Sequence, residues 1–288
     1  MAKKKKIQDN NPLYNFVRLI VDFNARRSYR RFEVHGRENL PKDGALIFGI
    51  NHSNTLIDAL VVLATSQHKK VFMARGDIFA NPKVAEFLKF ARILPLFRIR
   101  NGVAAVRNNT DSIEQAVDVV HDKVGLYLFP EGRHRTKHSL LQLSKGIFHI
   151  ALDSNREFGK ENPIYIVPVG IEYGDYFRYR STAMINFGEP INVTEFFKNT
   201  TEENEAANIN LLKDKLHEEI SKLFTYIPDN EDYDAIWEIV KMKNEKRAGS
   251  LNKKMLRNRA TVDKVLKYKE EKPEEAKNLF ERVMEFSK

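Results

Sequence analysis

His52 and Asp58, in the run Asn51-His52-Ser53-Asn54-Thr55-Leu56-Ile57-Asp58, have the types and spacing that general-base chemistry needs. An imidazole takes up a proton near neutral pH, its unperturbed pKa being about 6.5. A carboxylate beside it fixes the tautomer and stabilises the imidazolium. The run follows an apolar stretch, Ala45 to Ile50, that reads as a buried strand. It opens an amphipathic helix continuing through Leu60, Val61, Val62 and Leu63. Asn54 takes the helix N-cap, which leaves His52 in the loop and Asp58 just inside the helix. Taken alone, so short a signature favours a plainer reading: a satisfied loop histidine and a surface carboxylate. The rest of the chain has to decide.

Two further clusters lie at strand ends. Phe129-Pro130-Glu131-Gly132-Arg133 follows the strand Gly125–Phe129, and His134, Arg135, Lys137, His138 and Lys145 surround it. A glycine lets backbone amides approach an oxyanion closely, and guanidinium groups match phosphate geometry. Arg98 and Arg100 end another extended run, Ile93 to Ile99. A basic loop is usually a solvated face. Three polar clusters at three strand ends are different, because α/β sheets collect their ligands there.

The elements that carry these clusters alternate. Phe32 to His35, Ala45 to Ile50, Lys70 to Ala74, Ile93 to Ile99, Gly125 to Phe129, Ile164 to Gly170 and Met184 to Phe187 read as strands. Helical spacing separates most of them, near Lys83, from Thr110 to His121 and from Ser144 to Arg156. The pattern predicts an α/β fold with a largely parallel central sheet flanked by helices. Pro168 assigns its strand to an edge or a bulge. Residues 12–31 predict an N-terminal amphipathic helix with Leu13, Phe16, Val17, Ile20, Val21 and Phe23 on one broad face and arginines around it. With the Lys3–Lys6 cluster this has the form of an interfacial helix, although a helix packed on the core has the same pattern. Beyond residue 200 the texture is helical only. Thr200 and Glu203 are placed as a capping box, and three more helices follow Pro228, near 231–247, 251–269 and 274–287. The expected division is 1–31, a basic membrane-docking segment; 32–227, an α/β domain; and 228–288, a helical C-terminal extension.

The 288 residues suffice for a sizeable core. The absence of cysteine excludes disulfides, thiolate metal sites and a cysteine nucleophile. No secretory signal or spanning stretch is read, which leads to the expectation of a cytoplasmic protein, peripheral on the inner face of the membrane. Net charge is +9, but residues 201–288 carry 18 Lys and Arg against 19 Asp and Glu. The excess therefore sits with the His/Asp element, and a basic domain of this kind points to an anionic partner. Nucleic acid is one such partner, but no recognisable nucleic-acid-binding signature appears, and none is expected to bind. No convincing metal-ligand cluster is present, so no metal and no cofactor are expected.

In order, four blocks of this chain resemble those of the glycerolipid acyltransferases, typified by lysophosphatidic acid acyltransferases. They are Asn51-His52…Asp58, Leu94-Pro95-Leu96-Phe97-Arg98, Phe129-Pro130-Glu131-Gly132 and Ile166-Val167-Pro168-Val169. The resemblance covers roughly residues 32–195. It departs from the family's usual pattern in having five residues rather than four between histidine and aspartate, and in having Arg133 after the third block. The resemblance implies transfer of a fatty acyl chain from acyl-CoA or acyl-carrier protein to the free hydroxyl of 1-acylglycerol 3-phosphate, giving phosphatidic acid. His52, oriented by Asp58, would be the base, and Arg98, Glu131, Gly132 and Arg133 would hold the lysophospholipid acceptor's head. The partners implied are that acceptor, the acyl donor as co-substrate and a membrane surface with anionic lipid. Acylation of glycerol 3-phosphate or another lipid head is the near alternative. A basic nucleic-acid-binding protein or an inactive lipid-binding scaffold is the distant one.

Overall fold

Helix α1 (Pro12–Arg27) begins where its sequence dictates, with Asn11 Oδ1 accepting the Tyr14 N–H at 3.2 Å and proline in the first turn. The computed structural model describes residues 6–66, 68–97, 103–201, 203–243 and 249–287, without the side chains of 103–109. Among these residues eight strands form one mixed sheet: β1 (Arg31–His35), β2 (Ala45–Ile50), β3 (Lys70–Arg75), β4 (Ile93–Leu96), β5 (Gly125–Leu128), β6 (Ile164–Tyr173), β7 (Thr182–Phe187) and β8 (Ile191–Asn192). Their order is β1-β7-β6-β2-β5-β3-β4, with β8 on β6. Only β6–β7 and β6–β8 are antiparallel. The others pair in parallel, as expected.

The helices are α2 (Thr55–Leu63), α3 (Pro82–Phe90), α4 (Val103–His121), α5 (Gly146–Phe158), α6 (Val193–Phe196), α7 (Glu205–Ser221), α8 (Tyr233–Lys243), α9 (Leu251–Glu271) and α10 (Pro273–Phe286). Strand alternation assigns them to faces. Ala45 and Ile47 of β2 join one core with Ala116, Ile147, Phe148, Leu212 and Leu216 from α4, α5 and α7. Phe48 and Ile50 join the opposite core with Val61 and Val62 of α2. A Cβ on Gly49 would stand 3.0 Å from Leu216 and 3.3 Å from Ile147, so this glycine lets α5 and α7 close on the sheet. Helices α8–α10 build a smaller core of their own around Ile236, Val262 and Phe280. Helix α9 also meets the sheet, where Leu251 and Met255 cover Met184.

Several expectations need correction. Strand β6 lies inside the sheet, between β7 and β2, and not at an edge. Pro168 is tolerated because its missing N–H falls where the neighbour on that side changes from β8 to β7. There the Pro168 carbonyl accepts the Gly188 N–H at 2.9 Å, in the turn between those strands. Helix α4 starts at Val103, seven residues before the predicted Thr110. Helix α7 starts at Glu205 with Asn204 as its cap residue, so no Thr200/Glu203 box forms; Thr200 Oγ1 accepts from Asn208 instead. The run from Ile93 is a strand only to Leu96, and Arg98 to Gly102 lie outside the described residues.

Helix α1 turns Arg18 and Asp22 inward. Its buried residues are Tyr14, Arg18 and Asp22, one per turn, while Leu13, Phe16, Leu19, Ile20 and Phe23 are each at least half exposed. Arg18 donates to the carbonyls of Ser66 and His68 at 2.6 and 2.8 Å and lies 3.5 Å from Asp22. Arg92 stacks over the Tyr14 ring at 4.2 Å. Polar contacts therefore hold the helix to the domain and leave its apolar face outward. Among the described residues no helix is long and apolar enough to cross a membrane.

Candidate active site

Because β2, β3, β4, β5 and β6 run in parallel, their carboxyl ends share one rim. Asn51, the first residue past β2, continues the ladder with its side chain. Its Nδ2 donates to the Ile171 carbonyl at 3.1 Å, and its Oδ1 accepts the Ile171 N–H at 2.6 Å. That fixes where His52 begins. The His52 N–H donates to Glu131 Oε1 at 2.7 Å, and its carbonyl accepts the Arg135 N–H at 3.2 Å. The ring stacks on Phe129 with centroids 4.4 Å apart. Backbone and ring are thus both located by the loop after β5.

His52 Nδ1 lies 2.8 Å from Asp58 Oδ2. The five intervening residues do not prevent contact. The turn into α2 is closed by Thr55, which adopts φ +48°, a left-handed conformation seldom taken by a β-branched residue. Asn54 occupies the cap position without capping; its Nδ2 donates to the Tyr176 carbonyl at 3.2 Å. Asp58 reaches back instead, its Oδ2 accepting the N–H groups of Ser53 and Asn54 at 2.9 and 2.7 Å. Its other oxygen accepts the Tyr173 hydroxyl at 2.7 Å. A fully buried carboxylate is costly unless its lone pairs are used. Here four donors use them, and the helix N-terminus adds favourable charge. Nδ1 donating to Asp58 leaves Nε2 as the ring's basic atom.

Tyr173 was not singled out from the sequence. It ends the apolar strand β6, where it reads as one more core residue. The available signal is that a polar-tipped aromatic sits at the carboxyl end of a buried strand, on the face that also carries Val169 and Ile171. Burial and the neighbouring Asp58 charge push its phenol well above the ordinary tyrosine pKa, so it stays a donor. Tyr29, just after α1, hydrogen-bonds Tyr173, and burial raises its pKa to about 12.

Glu131 is buried, and both its oxygens are engaged: Oε1 by His52 and Oε2 by the Leu141 N–H at 2.8 Å. Desolvation pushes its pKa up to about 7, against the lowering effect of those two amides. Gly132 takes φ +65°, and its N–H donates to the Phe129 carbonyl at 3.0 Å, closing a tight turn. Arg133 is exposed beside it. Arg135 turns away to Asp229 and Ser139, so residues ahead of α8 hold the basic loop; Tyr233 adds to this by accepting the His138 N–H at 2.8 Å. Arg98, the remaining candidate, lies outside the described residues. Histidine, aspartate, glutamate and glycine thus come together from β2, α2 and the loop after β5. No group of three His, Cys, Asp or Glu side chains suited to a metal occurs among the described residues.

The acyltransferase family profile matches residues 31–172, which span this site. The chain is 26% identical over 129 residues to glycerol-3-phosphate O-acyltransferase 2 of Saccharomyces cerevisiae, covering 45% of this chain but only 17% of that protein. It is 22% identical over 191 residues to the 1-acyl-sn-glycerol-3-phosphate acyltransferase of Bacillus subtilis, covering 66% and 89% of the two chains. It is 30% identical over 124 residues to the enzyme of that name from Limnanthes alba, covering 43% and 41%. Among solved structures it is similar to the lysophosphatidic acid acyltransferase PlsC of Thermotoga maritima, with TM-score 0.47 and 21% identity over 73% of this chain and 83% of that one.

Proposed function

The chain belongs, through residues 31–172, to the acyltransferase family, and on that premise we propose that it transfers a fatty acyl group from an acyl thioester to the free hydroxyl of 1-acylglycerol 3-phosphate. The observation that carries the reading is the 2.8 Å contact from His52 Nδ1 to Asp58 Oδ2 at the carboxyl rim of the sheet. His52 Nε2 takes the hydroxyl proton as the acceptor oxygen attacks the thioester carbonyl. The new C–O bond forms, the C–S bond breaks, and the proton passes to the departing thiolate. Base assistance of this kind contributes about 10² to 10⁴ in rate, and holding both substrates together supplies much of the rest.

In this reading Glu131 acts through the backbone. With both oxygens engaged by amides, it spaces His52 from the Leu141 segment, while Gly132 and exposed Arg133 meet the acceptor phosphate. Arg98, on the resemblance of its block alone, joins them in holding the acceptor. The outward apolar face of α1 docks on an anionic leaflet, bringing the site to acceptors that remain in the bilayer. The donor is acyl-CoA or acyl-carrier protein. The test is acyl transfer by the purified chain, offered each donor with 1-acylglycerol 3-phosphate and with glycerol 3-phosphate. Exclusive acylation of glycerol 3-phosphate would replace the acceptor assignment, and no transfer to either would end it.

A further inference from the structure

Among the described residues, two strongly exposed aromatics share the turn between β6 and β7, Gly174-Asp175-Tyr176-Phe177-Arg178-Tyr179-Arg180-Ser181. Phe177 is 85% exposed and Tyr179 72%. Such exposure is costly in water unless something covers it. The turn is also well fixed. Asp175 Oδ1 accepts the N–H groups of Phe177 and Arg178, both at 2.9 Å, and the Gly174 N–H donates to the Thr182 carbonyl at 2.9 Å. Tyr176 points inward, 5.4 Å from the Tyr173 ring, and its carbonyl receives Asn54 Nδ2.

The turn is stitched to the end of α1. The Arg180 N–H donates to the Ser28 carbonyl at 3.0 Å, and the Arg30 N–H to the Ser181 carbonyl at 2.9 Å. Those two bonds set the turn, with Arg178 and Arg180, against the segment that follows the helix whose apolar face is exposed. On the other side, Asn54 leads directly into Leu56 and Ile57 of α2, which are 62% and 40% exposed.

We propose that this turn is a second membrane contact, with Phe177 and Tyr179 entering the headgroup–acyl boundary of an anionic bilayer and Arg178 and Arg180 on its phosphates. The proposal rests on the membrane-docking reading of α1. The argument is the turn's attachment to the end of that helix plus charge complementarity. Aromatic rings favour the membrane interface, and arginines pair with anionic headgroups. Two contacts also fix an orientation that one helix leaves free to roll. The dyad then faces the leaflet from which an acyl-bearing acceptor would be presented.

The test is sedimentation of the full chain with phosphatidylcholine vesicles, with and without phosphatidylglycerol, alongside acyl transfer to detergent-dispersed acceptor. Phe177→Ser with Tyr179→Ser is expected to weaken binding to anionic vesicles about tenfold or more. Its thermal unfolding should coincide with the parent's, and kcat/KM in detergent should stay within about twofold of the parent. Arg178→Gln with Arg180→Asn is expected to lose most of the preference for anionic over zwitterionic vesicles. Phe16→Ser with Phe23→Ser tests the reading of α1 separately. If that variant detaches while the turn variants bind like the parent, the turn assignment is overturned and α1 stands. If neither set matters, both fall. Unchanged vesicle binding with a raised KM for dispersed acceptor would mean that the turn contacts substrate, and would overturn the proposal as well.

Discussion

Tyr173 and Asp58 lie 115 positions apart in the chain, and the hydroxyl of one donates to Oδ1 of the other at 2.7 Å. The remaining oxygen of Asp58 faces His52 and the amides of Ser53 and Asn54. The tyrosine therefore helps to fix how the carboxylate is rotated, and with it the imidazole.

Tyr173→Phe removes one hydrogen bond to a buried carboxylate while keeping the ring. A bond to a charged group contributes about 1.5 to 3 kcal/mol, so kcat is expected to fall about tenfold with little change in KM. Steady-state kinetics beside urea unfolding checks it. A purely structural tyrosine would lower the unfolding midpoint and leave kcat in place.

Thr55 stores strain in its φ of +48°. Thr55→Gly is expected to raise stability by about 1 kcal/mol while keeping the dyad. The urea midpoint measures it; a lower midpoint would show that the threonine side chain contributes more than its backbone costs.

The two faces of α1 should respond differently. Arg18→Met leaves the carbonyls of Ser66 and His68 without their donor and is expected to destabilise the fold by about 2 to 3 kcal/mol. Phe16→Ser, on the exposed face, should change stability by less than about 0.5 kcal/mol. Paired chemical denaturation curves decide it, and the opposite ranking would mean that the helix packs the other way round.

Lys70 is fully buried, its Nζ donating to the Ser66 carbonyl at 2.6 Å and to the Leu63 carbonyl at 3.2 Å. Desolvation, with Arg18 next, lowers its pKa to about 7 from an ordinary 10.5. Between those values the unfolded chain binds the proton and the folded chain does not. Stability therefore rises with pH across that window, by at most about 1.4 kcal/mol per pH unit from this group. Unfolding followed from pH 7 to pH 10 should show the rise in the parent and lose this part of it in Lys70→Met. Equal slopes would place the ammonium form in the fold.

Periodicity exposed the parts of the fold that depend on local pattern. Ala45 to Ile50 could only be a buried strand, and the strands alternating with helices implied the parallel sheet. What stayed hidden depends on which neighbour a residue meets. The outward face of α1 could not be read, because amphipathicity does not say which side is covered; Arg18 is buried by the carbonyls of Ser66 and His68, which are distant in the chain. Pro168 suggested an edge, since the turn that accommodates its missing N–H lies beyond the strand's own sequence. In the site, His52 and Asp58 were legible only beside the polar clusters at the other strand ends, whereas the engagement of Glu131 by two backbone amides, and Tyr173 itself, needed the sheet to be assembled.

The central claim is that His52 is the base for acyl transfer. The most direct measurement is the initial rate of transfer from acyl-CoA to 1-acylglycerol 3-phosphate by His52→Ala beside the parent, both shown to be folded by circular dichroism. The rate is predicted to fall by about 10² to 10⁴. A His52→Ala rate equal to that of the parent would contradict the account.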